Sequence, residues 1–186
     1  MISKIDSVTV YCSSSNLVDN KFTKEIKRVG KLLAQHQIKL VYGGGRAGLM
    51  GAISNSVMEN GGKVEGIITQ HLVDIENINK DITNLKIVNT MHERKKELFN
   101  RSQAYIVFPG GIGTLEEFFE VLSWKQLKLH NKRIAIYNFN NYWDQLNQLI
   151  EHTINLKFAG ENMKEAYKVV DNIDELRKFL EINEEN

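Results

Sequence analysis

The sequence holds one proline, one cysteine and no long apolar run, and each shortage excludes a class of protein. The lone Cys12 can neither close an intramolecular disulfide nor join a cysteine cluster around zinc. The five histidines, His36, His71, His92, His130 and His152, show no metal-ligand spacing, so no metal site is expected. The longest apolar stretches, such as Ala104 to Phe108, fall far short of the roughly 20 residues that a membrane-spanning helix needs. The opening segment Met1 to Asp6 lacks the apolar core of a secretory signal, and a cytoplasmic protein is expected. Excess charge is also missing. With 24 basic and 23 acidic side chains the formal net charge is +1, which excludes a broad nucleic-acid or membrane footprint while leaving room for a local basic site.

What is present is a chain of 186 residues, 42% apolar, enough to bury one substantial core. No repeat, linker or shift in composition divides it, so residues 1–186 are read as a single domain. Short β-branched runs recur at Val8–Tyr11, Ile38–Tyr42, Val64–Ile68, Leu85–Val88, Ala104–Phe108 and Arg133–Tyr137, separated by segments with helical spacing. This alternation predicts α/β architecture: a doubly wound parallel sheet of Rossmann-like type with helices on both faces. Lys168–Val170 reads as a further edge strand, followed by a closing helix over Asp171–Leu180. Thr69 to Asn84 is the longest connection without a pattern, a candidate wall or lid.

Eight of the thirteen glycines fall in two windows, residues 43–51 and 110–113, each directly after a predicted strand. Ligands of open α/β sheets bind beyond the carboxyl ends of the strands, so both windows are candidate site loops. The first, Gly43-Gly44-Gly45-Arg46-Ala47-Gly48-Leu49-Met50-Gly51, satisfies G-x-G-x-x-G. It suits either a phosphate, which Arg46 favours, or close packing of strand on helix. A dinucleotide site also needs an acid at the end of the next strand, yet Glu65 sits inside that strand; no bound NAD or other cofactor is expected. The second window runs Pro109-Gly110-Gly111-Ile112-Gly113-Thr114-Leu115-Glu116-Glu117. Pro109 can end the strand cleanly before the glycines.

Two charged residues beside the loops stand out. Thr114 and Glu117 spell T-x-x-E, so Glu117 is either the return partner of a helix cap or a catalytic carboxylate. Placed in a first helical turn it should be ionised at neutral pH. Thr90 and Glu93 spell the same motif, and there the cap is the better reading. Arg94 lies in line with Met91, Leu98 and Ser102 on one helical face, either as an internal ion pair or snorkelling stem, or as a guanidinium aimed into the site. Lys95 is adjacent. On the following helix Leu115, Phe118, Phe119 and Leu122 are the expected core stripe, with Trp124 opposite it, either as a subunit contact or as an ordinary exposed aromatic. Cys12 and the run Ser13-Ser14-Ser15 end the first strand; without an identifiable base partner the thiol suits packing better than nucleophilic work.

Taken together, Tyr42-Gly43-Gly44-Gly45 with Gly48-Leu49-Met50-Gly51, Met91-His92-Glu93-Arg94-Lys95 and P-G-G-x-G-T-x-x-E at Pro109 to Glu117 resemble the LOG (Lonely Guy) family. Its members are nucleoside 5′-monophosphate phosphoribohydrolases that release cytokinin bases and often carry a lysine decarboxylase label. The resemblance runs from about Val8 to Glu151. It implies a Rossmann-like subunit, usually a homodimer, that hydrolyses the N-glycosidic bond of AMP or an N6-modified AMP. It implies Arg94 and Glu117 as the catalytic pair. Glu76, Lys95, the loop Gly111, Ile112, Gly113, Thr114, Leu115, Glu116 and Glu117, and Ser123 fall at nucleotide-contacting positions, and Ser14, Gly44, Gly45, Gly48 and Met50 join them as loop residues facing the ligand. Ser13 stands where the family usually has glycine, and Ser123 where threonine is common. The rival readings are a non-catalytic nucleotide or cofactor carrier on the same fold and an NAD-dependent oxidoreductase.

Overall fold

A computed structural model describes residues 5–75 and 78–182. Seven strands form one parallel sheet: β1 (Ser7–Tyr11), β2 (Lys39–Tyr42), β3 (Val64–Thr69), β4 (Asn84–Val88), β5 (Ala104–Val107), β6 (Arg133–Tyr137) and β7 (Lys168–Val170), in the spatial order β4-β3-β2-β1-β5-β6-β7. The predicted α/β sheet is therefore present. The first six predicted strands agree with it to within a residue at either end, and the edge strand β7 agrees outright. The winding direction reverses where β1 lies between β2 and β5, with Val8 opposite Leu40 on one side and Ala104 on the other. A crevice forms at such a reversal because successive connections leave for opposite faces of the sheet.

Among the described residues seven α-helices cover the two faces: α1 (Asn20–Gln35), α2 (Gly48–Glu59), α3 (Gln70–Ile75), α4 (Met91–Asn100), α5 (Ile112–Gln126), α6 (Asp144–Asn155) and α7 (Ile173–Phe179). Alternate strand residues serve alternate faces. Val8, Val10, Ala104, Ile106 and Phe108 pack under Ile26, Val29 and Leu33 of α1, Leu49, Ile53 and Val57 of α2, and Leu176 of α7. Tyr11, Tyr105 and Val107 pack instead with Leu98 of α4, Phe118, Val121 and Leu122 of α5, and Leu146, Ile150 and Ile154 of α6. Each such fully buried aliphatic or aromatic side chain contributes about 2 kcal/mol. The sheet is thus clamped from both sides, and the rigid strand ends hold the loops that follow them.

Three local expectations change. Thr69 to Asn84 is not patternless: it opens with α3, and Ile78 bridges to Gly45. Met91 is 45% exposed, because it is the first residue of α4 and projects past the sheet. On α5 the inward stripe is Thr114, Phe118, Val121 and Leu122, while Phe119 is 40% exposed. Val121 takes the inward place expected of Phe119, a rotation of the helix by about one position. Trp124 is half-buried and meets Phe99 of α4 edge-on at 4.9 Å, closing the seam between α4 and α5. Among the described residues no helix is long and apolar enough to cross a membrane.

Candidate functional site

At the reversal between β1 and β5 lies a cavity of about 400 Å³. Its walls are the end of β1 with Cys12 to Ser15, Gly43 and Met50 from the first glycine window, Leu72 of α3, Arg94 of α4, and Gly111 to Thr114 with Glu117 of α5.

The two glycine windows do different work. At the first, the opening N–H groups of α2 are already occupied: Leu49 and Met50 both donate to the Ser13 carbonyl, at 2.9 and 3.3 Å, and Gly48 donates to Asn16 Oδ1. Gly48 has φ +57°, and a Cβ there would stand 2.5 Å from the Ser15 carbonyl oxygen, so glycine is required for close packing on the β1 loop. Gly44 and Gly45 lie outside the cavity, and Arg46 turns away toward Asp81, 3.9 Å distant. Close packing thus accounts for Gly44, with φ +81°, and for Gly48, and Gly44, Gly45, Arg46 and Gly48 all stand outside the cavity wall. Gly43 is the exception, since a Cβ would fall 2.3 Å from an Arg94 nitrogen.

At the second window α5 begins at Ile112 with Gly111 as N-cap and no side-chain cap bond. Thr114 is already inside the helix, so the T-x-x-E cap at Thr114 and Glu117 is not made and Glu117 lies in the second turn. Among the described residues no protein acceptor meets the N–H groups of Ile112, Gly113 and Thr114, and all three residues line the cavity. Orphan donors at the positive end of a 15-residue helix are suited to receive an anion. The Gly110 carbonyl just before them accepts a 2.7 Å hydrogen bond from Tyr142 Oη. By contrast, Thr90 does cap α4: Glu93 N–H donates to its hydroxyl, and Asn89 N–H donates to the Glu93 carboxylate.

Arg94 is buried, and both accounts of it are partly realised. Its Nε donates to the Ile67 carbonyl at 3.0 Å and one terminal nitrogen to the Gly43 carbonyl at 3.1 Å. The other terminal nitrogen stands 4.0 Å from Glu117 Oε1 at the cavity wall. Two backbone carbonyls thus fix a guanidinium whose free edge faces the carboxylate. Burial pushes the Glu117 carboxyl up to about 7, the Arg94 charge opposes this, and Glu116 and Glu120 add to it. The expectation of an ordinary ionised carboxylate is corrected: desolvation outweighs the helix dipole, which is weak beyond the first turn. Burial, reinforced by Glu117, likewise holds the Cys12 thiol well above the usual range, which removes it as a nucleophile.

The other resemblance-derived positions divide. Ser14, Met50, Gly111, Ile112, Gly113 and Thr114 line the cavity; Leu115, Glu116, Lys95 and Ser123 do not. Lys95 Nζ sits 2.5 Å from Glu116 and 2.7 Å from Glu120, on the outer side of α4 and α5. Ser123 is exposed and donates to the Glu120 carbonyl. Glu76 lies outside the described residues. Sequence reasoning missed Tyr11, Leu72 and Tyr142. Tyr11 stacks on Tyr105 at 6.0 Å, and burial, then the Glu117 charge, keeps its phenol protonated. An aromatic ending a buried strand at the reversal was the available signal for Tyr11; Tyr142 carried none, since its target is a backbone carbonyl 32 residues away.

A doubly wound parallel sheet with a cavity at its reversal, lined by a buried arginine and a part-buried glutamate, defines a Rossmann-like α/β protein. Residues 50–180 match the family described as "possible lysine decarboxylase", and the chain belongs to that family, the LOG family. It is 41% identical over 147 residues to the cytokinin riboside 5′-monophosphate phosphoribohydrolase of Rhodococcoides fascians, covering 78% of this chain and 74% of that protein. It is 35% identical over 179 residues to LOG3 of Arabidopsis thaliana, of the same name, covering 96% and 83%. Among solved structures, the molybdenum cofactor binding protein of Rippkaea orientalis aligns over 97% of this chain and 98% of its own, with a TM-score of 0.72 and 18% identity. The molybdenum cofactor carrier protein of Chlamydomonas reinhardtii aligns with a TM-score of 0.69 over 94% and 98%, at 15% identity. At these identities the structural likeness carries the fold alone.

Proposed function

We propose that the protein is a hydrolase of N-glycosidic bonds, acting on AMP or an N6-modified nucleoside 5′-monophosphate to release the free base and ribose 5-phosphate. The observation that carries this reading is that Arg94 and Glu117 line the same cavity as the uncapped N-terminus of α5. The three free N–H groups suit the 5′-phosphate, a handle remote from the bond that breaks. Cleavage of C1′–N9 sends the bonding pair to the base and leaves oxocarbenium character on the ribose. Ionised Glu117 stabilises that charge and accepts a proton from the water whose oxygen bonds to C1′, while the departing base gains a proton. A carboxyl near 7 is a stronger base than an ordinary glutamate and is still ionised above neutrality. Arg94 fixes the carboxylate. Decarboxylation through a lysine Schiff base is not adopted, because no lysine lines the cavity among the described residues. The NAD reading is weakened by the occupied N-terminus of α2.

The outward residues favour a homodimer. Lys95, Glu116 and Ser123 flank the α4 and α5 surface, where Phe119, Leu127 and Leu129 are exposed. A second copy seated there accounts for the apolar surface. A non-catalytic carrier on this fold is the competing reading, and the solved structures that share the fold include a molybdenum cofactor binding protein and a molybdenum cofactor carrier protein. Purified protein incubated with a panel of nucleoside monophosphates separates the two: free base and ribose 5-phosphate appear on the hydrolase reading, and binding without turnover overturns it. Light scattering on the same sample should give twice the 21.4 kDa chain mass, and the single mass would remove the dimer.

Tyr142 supplies a milder test. Because a trans peptide is planar, tethering the Gly110 carbonyl also fixes the direction of the Gly111 N–H beside the phosphate donors. Tyr142→Phe should raise KM for the monophosphate by about fivefold, the worth of one ordinary hydrogen bond, with kcat within about twofold. An unchanged KM denies the tether any part in binding.

A further inference from the structure

The end of the sheet opposite the cavity holds a second concentration of charge. Arg133 and Lys168 begin the adjacent strands β6 and β7, the last turn of α5 brings Lys125, and α7 brings Lys178. These four cations and two carboxylates, Glu165 and Glu181, line a recess of about 340 Å³. Arg133 is satisfied, by the Phe179 carbonyl and by Glu181. Lys125 donates at 2.9 Å to the Lys132 carbonyl and, among the described residues, has no carboxylate partner. Among the described residues neither Lys168 nor Lys178 forms an ion pair.

A chain that balances its charges almost to zero has therefore left a local excess of two positive charges around one concavity. Lysine on an edge strand guards against edge-to-edge pairing, which accounts for Lys168 alone. It leaves the half-buried Lys125 unexplained, an ammonium drawn partly out of water beside a guanidinium. Burial, and then Arg133, depress the Lys125 ammonium below its usual range, a strain that an anion in the recess would relieve. Compact ammonium groups converging from three elements match a phosphate better than a planar carboxylate, which favours the arginine fork.

We propose that this recess is a binding site for a small phosphate-bearing anion, separate from the cavity at the sheet reversal. The two lie at opposite ends of the strands, on the order of 15 Å apart along the strand direction.

Amide chemical-shift titration of the full chain with inorganic pyrophosphate tests this, because each site reports through its own residues. Saturable shifts are expected at Tyr167, Lys168 and Lys178 to Glu181, weakening as salt is added. Shifts at Ile112 to Thr114 report the other cavity independently, so the two readings stand or fall separately. Combining Lys168→Glu with Lys178→Glu alters two exposed side chains without touching either core, and should abolish the first set of shifts while preserving the second. No saturable shift at the recess, or shifts that survive in the double variant, would overturn the proposal.

Discussion

Glu117→Gln should lower kcat/KM for release of base from a nucleoside 5′-monophosphate by about 10³-fold, the usual worth of a positioned acid–base or charge-stabilising group. Glutamine keeps the shape of the side chain and so leaves the cavity intact, but it can neither accept a proton nor oppose a developing cation. The wild-type rate should climb with pH and level off above about 7, where the carboxyl has ionised. The same substitution has an opposite effect on folding. An unfolded glutamate ionises near 4.5, whereas the buried one holds its proton until about 7. Between those values the native state binds more protons than the unfolded state, so wild-type stability falls as pH rises through the window. Glutamine has no such loss. Relative to wild type the variant should therefore gain about 2 kcal/mol between pH 5 and pH 8, or about 5 °C in Tm. Calorimetric melting at the two pH values, beside a base-release assay, checks both signs at once. Wild-type turnover in the variant removes the catalytic assignment; parallel melting curves remove the elevated carboxyl.

Arg94→Ala should damage both fold and reaction. The Ile67 and Gly43 carbonyls each lose a charge-assisted donor in a buried setting, and Glu117 loses the cation that lowers its pKa. Losing such partners costs about 3 kcal/mol, which should lower Tm by about 8 °C, and kcat/KM should fall by about 10²-fold or more. The residual activity carries the sharper signature. With the guanidinium gone the Glu117 carboxyl should titrate above 7, shifting the rising limb of the rate profile to higher pH. Arg94→Lys should recover only part of the stability, because one ammonium cannot reproduce the fork that spans two carbonyls. A variant with the wild-type pH midpoint would show that Arg94 does not act on Glu117.

The sheet was legible because its strands are continuous apolar runs, a pattern that buried parallel strands produce and few other elements imitate. Arg94 was legible for a related reason: a charge in line with Leu98 and Ser102 conflicts with its surroundings, and the conflict marks a site. Glu117 was legible as a candidate but not in its ionisation, which depends on burial by distant elements and on Glu116 and Glu120 beside it. The first glycine window left open what Gly44, Gly45 and Gly48 approach. A run of glycines states that backbone must come close to something, without saying whether that is a ligand or the β1 loop. Tyr142 and the recess around Lys125 depend on residues far apart in the chain, which no local pattern joins.

The two hydrogen bonds from Leu49 and Met50 to the Ser13 carbonyl have a consequence for ligand length. A doubly wound sheet offers two helix openings on either side of its reversal, and a molecule with two linked nucleotide halves can span both. Here the protein has plugged one opening with its own backbone. The plug braces α2 whether or not anything is bound, and it leaves a berth for one half of such a molecule. Under the proposed function, selection for a single nucleotide would be built into the main chain, beyond the reach of side-chain substitution at the cavity wall.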